Sequence, residues 1–169
     1  MKKSRAVVLA LLLAVLCAGC RKAENVLPHA LGVVLTDSTV AEHWDDHGAM
    51  SDGTEYWRIE LSQKDAATLE KQAQTGEGWH PLPVNEDVEA LLYGREWQED
   101  SEVFGAGPYL TQQDGNPLLP QVEEGYWFFY DDQTESYETA GVLDRHSYNF
   151  TAAVYDKVAG VLYCGELDT

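Results

Sequence analysis

The stretch Gly125-Tyr-Trp-Phe-Phe-Tyr130 constrains the fold more than any other segment. In a strand, successive side chains point to opposite faces, so six residues rich in rings put aromatic surface on both. Such a strand needs cover on two sides, which predicts a central position in a sheet with packed layers. Two further strand-like runs follow, at 148–155 and 161–167, joined by a short turn around Lys157 to Gly160. Upstream, 31–35 is an apolar run and 39–44 suggests a second strand or its continuation. Residues 56–61 alternate cleanly, with Trp57, Ile59 and Leu61 on one face. The polar stretch DDHGAMSDG, 45–53, lies between the last two runs and reads as the loop of a hairpin.

Helical signals sit between these strands. Ser62 can cap a helix and Asp65, three residues on, can return the hydrogen bond. Ala66, Leu69 and Ala73 then share a face, and Gly76 can end the helix. Asn85 can cap a second, shorter helix with Val88, Leu91 and Leu92 inward and Gly94 after its end. Residues 95–121 keep no period and hold two turn signals, Gly105-Ala-Gly-Pro108 and Asp114-Gly-Asn-Pro117. An irregular stretch of that length is expected to be functional or partly disordered. Strands at both ends with helices between predict an α+β domain: an antiparallel sheet of about five strands with one or two helices packed on one face.

The first residues bear on location. Lys2, Lys3 and Arg5 precede an apolar run from Ala6 to Leu16, too short for a membrane-spanning helix but right for a signal peptide. Ala18-Gly19-Cys20 resembles the end of a bacterial lipobox, with Cys17 where leucine is usual. The resemblance implies a signal peptide over 1–19, lipidation (palmitate and related acyl chains) of Cys20, a tether over 20–30 and one domain over 31–169. One acyl chain binds a membrane marginally and two bind it durably, while Arg21 and Lys22 add attraction to anionic headgroups. The expected location is therefore extracytoplasmic, anchored through Cys20.

Charge narrows the partners. The chain has 11 Lys and Arg against 29 Asp and Glu. Loss of the first nineteen residues removes three of the basic ones and none of the acidic. Nucleic acid would repel such a protein, so no nucleic-acid partner is expected. With Cys17 cleaved away and Cys20 lipidated, Cys164 would remain alone, without an intramolecular disulfide. Its setting, VLYCGEL, reads as a strand and the cysteine as structural.

From Asp45 onward the chain also resembles small lipoproteins of Gram-positive anaerobes. The matching segments are DDHGAMSDGTEYWRIEL, GWHPLPVNEDVEALLYG, SYNFTAAVYD and VLYCGELDT. His47-Gly48-Ala49 stands where that family has His-Gly-Gly, and Cys164 where it has an aromatic residue. The family has no established activity, so the resemblance implies only a lipoprotein and the fold class.

Candidate site residues are few. His43, Asp45, Asp46, His47 and Asp52 form the densest group of metal-ligating types. At alternating strand positions, His43, Asp45 and His47 would share one face, and imidazole with carboxylate suits zinc or a similar ion. The same residues also suit a hairpin loop. Asp144-Arg145-His146 reads as an Arg–carboxylate pair ordering a turn, and a concave site lined by His47, Asp131 and Arg145 would instead favour chemistry. Of the five tryptophans, Trp97 is the one expected to meet a ligand; the others read as core. No G-x-S-x-G, H-E-x-x-H, phosphate loop or calcium loop is present. These features predict a non-enzymatic envelope module with no cofactor, whose partners are the membrane and an envelope protein or glycan. The alternative is a metal-binding or metal-dependent hydrolase-type domain using residues 43–52.

Overall fold

A computed structural model describes residues 21–23, 27–48 and 52–169. Nine strands and two α-helices follow in chain order. β1 (Arg21–Lys22) is minimal, and β2 (Thr39–Asp45) and β3 (Gly53–Glu60) form the expected hairpin. α1 (Gln63–Ala73), β4 (Trp79–Pro81) and α2 (Glu86–Tyr93) come next. β5 (Arg95–Glu99) and β6 (Glu102–Ala106) form a separate two-stranded sheet. β7 (Gly125–Asp131), β8 (Phe150–Asp156) and β9 (Val161–Asp168) complete the main sheet. Its order is β1-β2-β3-β9-β8-β7-β4, with every neighbour antiparallel. The α+β class and the antiparallel sheet are as the sequence predicts. The strand count exceeds five because two very short strands extend the edges.

Side-chain alternation divides the core between the two sheet faces. Trp57, Ile59, Phe128, Ala153, Tyr155, Leu162 and Cys164 meet Leu69 and Ala73 of α1 on one face. Tyr56, Trp127, Phe129, Phe150, Ala152 and Val154 meet Val88, Leu91 and Leu92 of α2 on the other. Each face thus carries one helix, and the two do not share a side. This is why GYWFFY can bury aromatic residues in both directions although β7 lies one strand from the edge rather than at the centre. β4 supplies the last cover: Trp79 pairs with Phe128, their rings 5.2 Å apart.

The helix caps form with one change of partner. The Ser62 side chain accepts from the Asp65 N–H at 3.1 Å, and the Asn85 side chain accepts from the Val88 N–H at 2.9 Å. Asp65 does not return the bond. Its buried carboxylate accepts from the Asp37 N–H at 2.8 Å and the Ser38 hydroxyl at 2.6 Å, while the Ser62 N–H donates to Ser38 Oγ. The acid expected to cap α1 instead fastens the preceding loop to it, and these hydrogen bonds outweigh burial to hold its pKa below the usual value.

Two other expectations are corrected, those for 31–35 and 95–121. The run 31–35 is not a strand: Gly32 has φ +62°, ending a 3-10 turn (His29–Leu31), and Leu31 and Leu35 reach the core from irregular backbone. The described part of the 20–30 tether lies on the domain, with Arg21 and Lys22 paired to Val40 and Thr39 and Ala23 buried. Residues 95–121 are not a loose loop. They open with the β5–β6 hairpin, and Leu110, Leu118 and Leu119 are then buried in the face that α2 covers. No helix among the described residues is long and apolar enough to cross a membrane. Residues 1–19, expected to be a signal peptide, and Cys20 lie outside the described residues.

Candidate functional site

Strand register builds the site. Asp45 pairs with Glu55, Glu55 with Glu166, Glu166 with Thr151, and Thr151 with Tyr130. Directly opposed residues project to the same face, so these five form one row across five strands. The row two residues along is His43, Trp57, Cys164, Ala153, Phe128 and Trp79, which is apolar but for its first member. The α1-side core therefore stops at a line where three carboxylates stand on three successive strands. Like charges directly opposite destabilise a sheet, so this row works against the fold around it.

Neighbouring groups meet part of that charge. His47, just beyond β2, places Nδ1 2.7 Å from Asp45 Oδ1 and Nε2 3.1 Å from Asp168 Oδ2. The His47 N–H also donates to Asp45 Oδ1 at 2.9 Å. The Asp45 carboxylate raises the His47 pKa, and the His47 backbone and ring hydrogen bonds lower that of Asp45. His43 stacks on Trp57 with ring centroids 5.4 Å apart, and its Nε2 lies 2.7 Å from Glu55 Oε1.

Further along the row, the buried Thr151 hydroxyl lies 3.1 Å from Glu166 Oε1 and 3.2 Å from Asp132 Oδ2. A hydroxyl has one proton to donate, so it cannot satisfy both carboxylates at once. The hydroxyl is therefore shared between two acids, and its donation to Glu166 only partly offsets the burial of that group. Burial, followed by the charges of Glu55, Asp132 and Asp168, pushes the Glu166 pKa up to about 7. Partial desolvation likewise raises that of Asp132. A shallow cavity of about 430 Å³ opens beside this pair and is also lined by His29, Tyr130 and Tyr137.

The opposite face holds a larger groove, about 880 Å³, between the β2–β3 hairpin and residues 111–118. Trp44 and Tyr56, ring centroids 5.7 Å apart, form its aromatic wall. Glu42, Asp46 and Asp114 supply carboxylates, Asp45 lines it with its carboxylate held by His47 on the other face, and no Lys, Arg or His is among its described lining residues. The Asp46 carboxylate also accepts from the Thr54 N–H at 2.6 Å, fixing the mouth of the hairpin.

The remaining expected residues separate. Asp52 enters the turn through its carbonyl, which accepts from the Gly48 N–H at 3.0 Å, so its contribution is loop geometry. Trp97 stacks on Phe104 across the β5–β6 hairpin, centroids 6.1 Å apart; the tryptophan that lines the large groove is Trp44. Asp131 and Arg145 do meet, but as an ion pair in which Arg145 donates through both terminal nitrogens to a buried carboxylate. Asp131 shares the alternation of Trp127 and Phe129, whereas His47 joins the row on the other face, so His47, Asp131 and Arg145 do not converge. Glu55, Glu166, Asp132 and Asp168 were not foreseen, because no sequence spacing carries the register that joins them. No protein family model, no curated protein and no solved structure matches this chain.

Proposed function

We propose that this chain is an extracytoplasmic module, held at a membrane through lipidated Cys20, which binds a cationic segment of another envelope component without transforming it. The observation that carries the binding role is the groove walled by Trp44 and Tyr56, with its carboxylate rim and no described basic lining residue. A cation entering there meets ring faces and carboxylates together. A desolvated cation–π contact contributes about 1–2 kcal/mol, and the rim charge speeds encounter. The surplus of acidic residues over the whole chain favours the same class of partner. The lipobox-like Ala18-Gly19-Cys20 supports the anchor.

Binding is tested by the fluorescence anisotropy of a labelled Lys- and Arg-rich peptide titrated with full-length protein in detergent. Saturable binding that weakens with salt is expected, with Trp44→Ala costing about 2 kcal/mol as interface tryptophans do. Salt-independent binding, or a Trp44→Ala variant equal to wild type, refutes the groove assignment. The anchor is tested separately by feeding cells a clickable fatty acid: label in wild type and none in Cys20→Ser is expected, and label in both refutes it.

A further inference from the structure

We propose that Asp45, His47 and Glu55 form a site for zinc or a similar divalent cation. Oxygen or nitrogen donors of these three side chains all lie within 4.8 Å of one another. A tetrahedral zinc ion with bonds of about 2.0–2.2 Å sets its ligands roughly 3.3–3.6 Å apart, so closure asks about an ångström of movement. The side chains can supply it, because Asp45 is half exposed and Glu55 is partly accessible.

The orientation of the imidazole carries the argument further. Histidine ligands of metals commonly give their second ring nitrogen to a carboxylate, which fixes the ring and raises its basicity. Here Nδ1 faces Asp45 while Nε2 is held by Asp168 from the end of β9. With the ion on Nδ1, Asp168 is that supporting carboxylate. Glu55 has support of its own in His43. The three ligands thus come from a strand edge, a loop and a central strand, and two of them already have orienting partners.

Charge supplies an independent reason. Asp45, Glu55 and Glu166 oppose one another in register, and no described Lys or Arg side chain forms an ion pair with these or with Asp168. A divalent cation would neutralise the row where His43 and His47 compensate it only in part. One imidazole with two carboxylates suits zinc better than magnesium or calcium, which prefer six or more oxygen donors. The exposure of Asp45 leaves room for water or a partner's side chain as a further ligand. This site differs from the 43–52 cluster expected from sequence: Glu55 enters, His43 becomes a positioning residue, and Asp52 drops out.

The test uses the full-length protein in detergent, stripped with EDTA, desalted and titrated with zinc chloride by calorimetry, with elemental analysis after a second desalting. One retained ion per chain is expected in wild type and in Asp52→Ala. His47→Ala and the nearly isosteric Glu55→Gln should each lose it. Asp168→Asn should keep the stoichiometry and weaken affinity about 10–100-fold, as loss of a supporting carboxylate does. Thermal unfolding in EDTA separates a lost ligand from a lost fold, since Glu55→Gln should melt no lower than wild type there. No retained zinc in wild type overturns the proposal. Equal retention in His47→Ala and Glu55→Gln, or loss in Asp52→Ala, overturns this donor set. The peptide titration is unaffected by these outcomes, because the groove reading does not depend on the ion.

Discussion

Glu166→Gln should stabilise the metal-free protein above neutral pH and change little in acid. The Glu166 carboxyl ordinarily ionises near 4.5, and in the fold its pKa lies at about 7. Burial is the first cause, and the carboxylates of Glu55 on β3, Asp132 after β7 and Asp168 on β9 add to it; only the Thr151 hydroxyl opposes. Between pH 4.5 and 7 the folded chain therefore holds a proton that the unfolded chain has released. Stability then falls as pH rises through this window and levels off above it. The two values differ by about 2.5 pH units at ~1.36 kcal/mol each, or about 3 kcal/mol. Solvent screening at this partly buried group brings the measurable effect nearer to about 2 kcal/mol. Gln keeps the shape and an oxygen at the Thr151 hydroxyl but cannot ionise. Urea unfolding of both proteins, in EDTA and at closely spaced pH values from 5 to 8, reads the difference directly. The advantage of Glu166→Gln should be small near pH 5, grow through the window and reach about 2 kcal/mol near pH 8. A difference constant across that range would mean that the row does not hold a proton and would refute the electrostatic reasoning.

Arg145→Met should cost about 2–3 kcal/mol in urea unfolding at neutral pH, because it strands the Asp131 carboxylate, whose side chain is only 2% exposed. Adding Asp131→Asn should recover part of that loss, and a neutral effect of Arg145→Met alone would contradict the pairing. Cys164 is fully buried and burial pushes its thiol pKa well up, so a thiol-reactive chromophore should label it only after denaturation. Labelling of the native protein at the denatured rate would show that β9 opens.

Local chemistry was legible in the sequence, and long-range register was not. Ser62 and Asn85 cap their helices because a short polar side chain can reach an N–H three residues on, which is a property of a few adjacent residues. Val88, Leu91 and Leu92 face the core for an equally local reason, the turn of one helix. The hairpin from β2 to β3 follows from two strand-like runs, the second cleanly alternating, on either side of a polar loop. The side of the sheet that each helix covers depends on connections spanning the domain, and the sequence offered no signal for it. The segment 95–121 was opaque because Trp97 and Phe104 stack across a small hairpin instead of joining a periodic face. The candidate site divides in the same way. Asp45 and His47 stood out as neighbours in sequence. Glu55, Asp132, Glu166 and Asp168 looked like four of many scattered acids until strand pairing brought them to one end of the sheet.

The two adjacent rows explain how the fold tolerates this arrangement. Trp57, Cys164, Ala153 and Phe128 lie on the same four strands as Glu55, Glu166, Thr151 and Tyr130, two residues away and almost completely buried. Burying side chains of this kind stabilises by roughly 1.5–3 kcal/mol for each large one, enough to hold the strands in register against repulsion between neighbouring acids. Glu55 and Glu166 are consequently fixed by backbone that cannot move without breaking the apolar row. Asp45 and His47 belong to the strand end and its loop, where among the described residues β1 pairs only with Thr39 and Val40. A ligand arriving at the row therefore meets one rigid half and one adjustable half. Geometry is held where the sheet is strongest, and the movement needed to close on a cation falls where it disturbs the least packing.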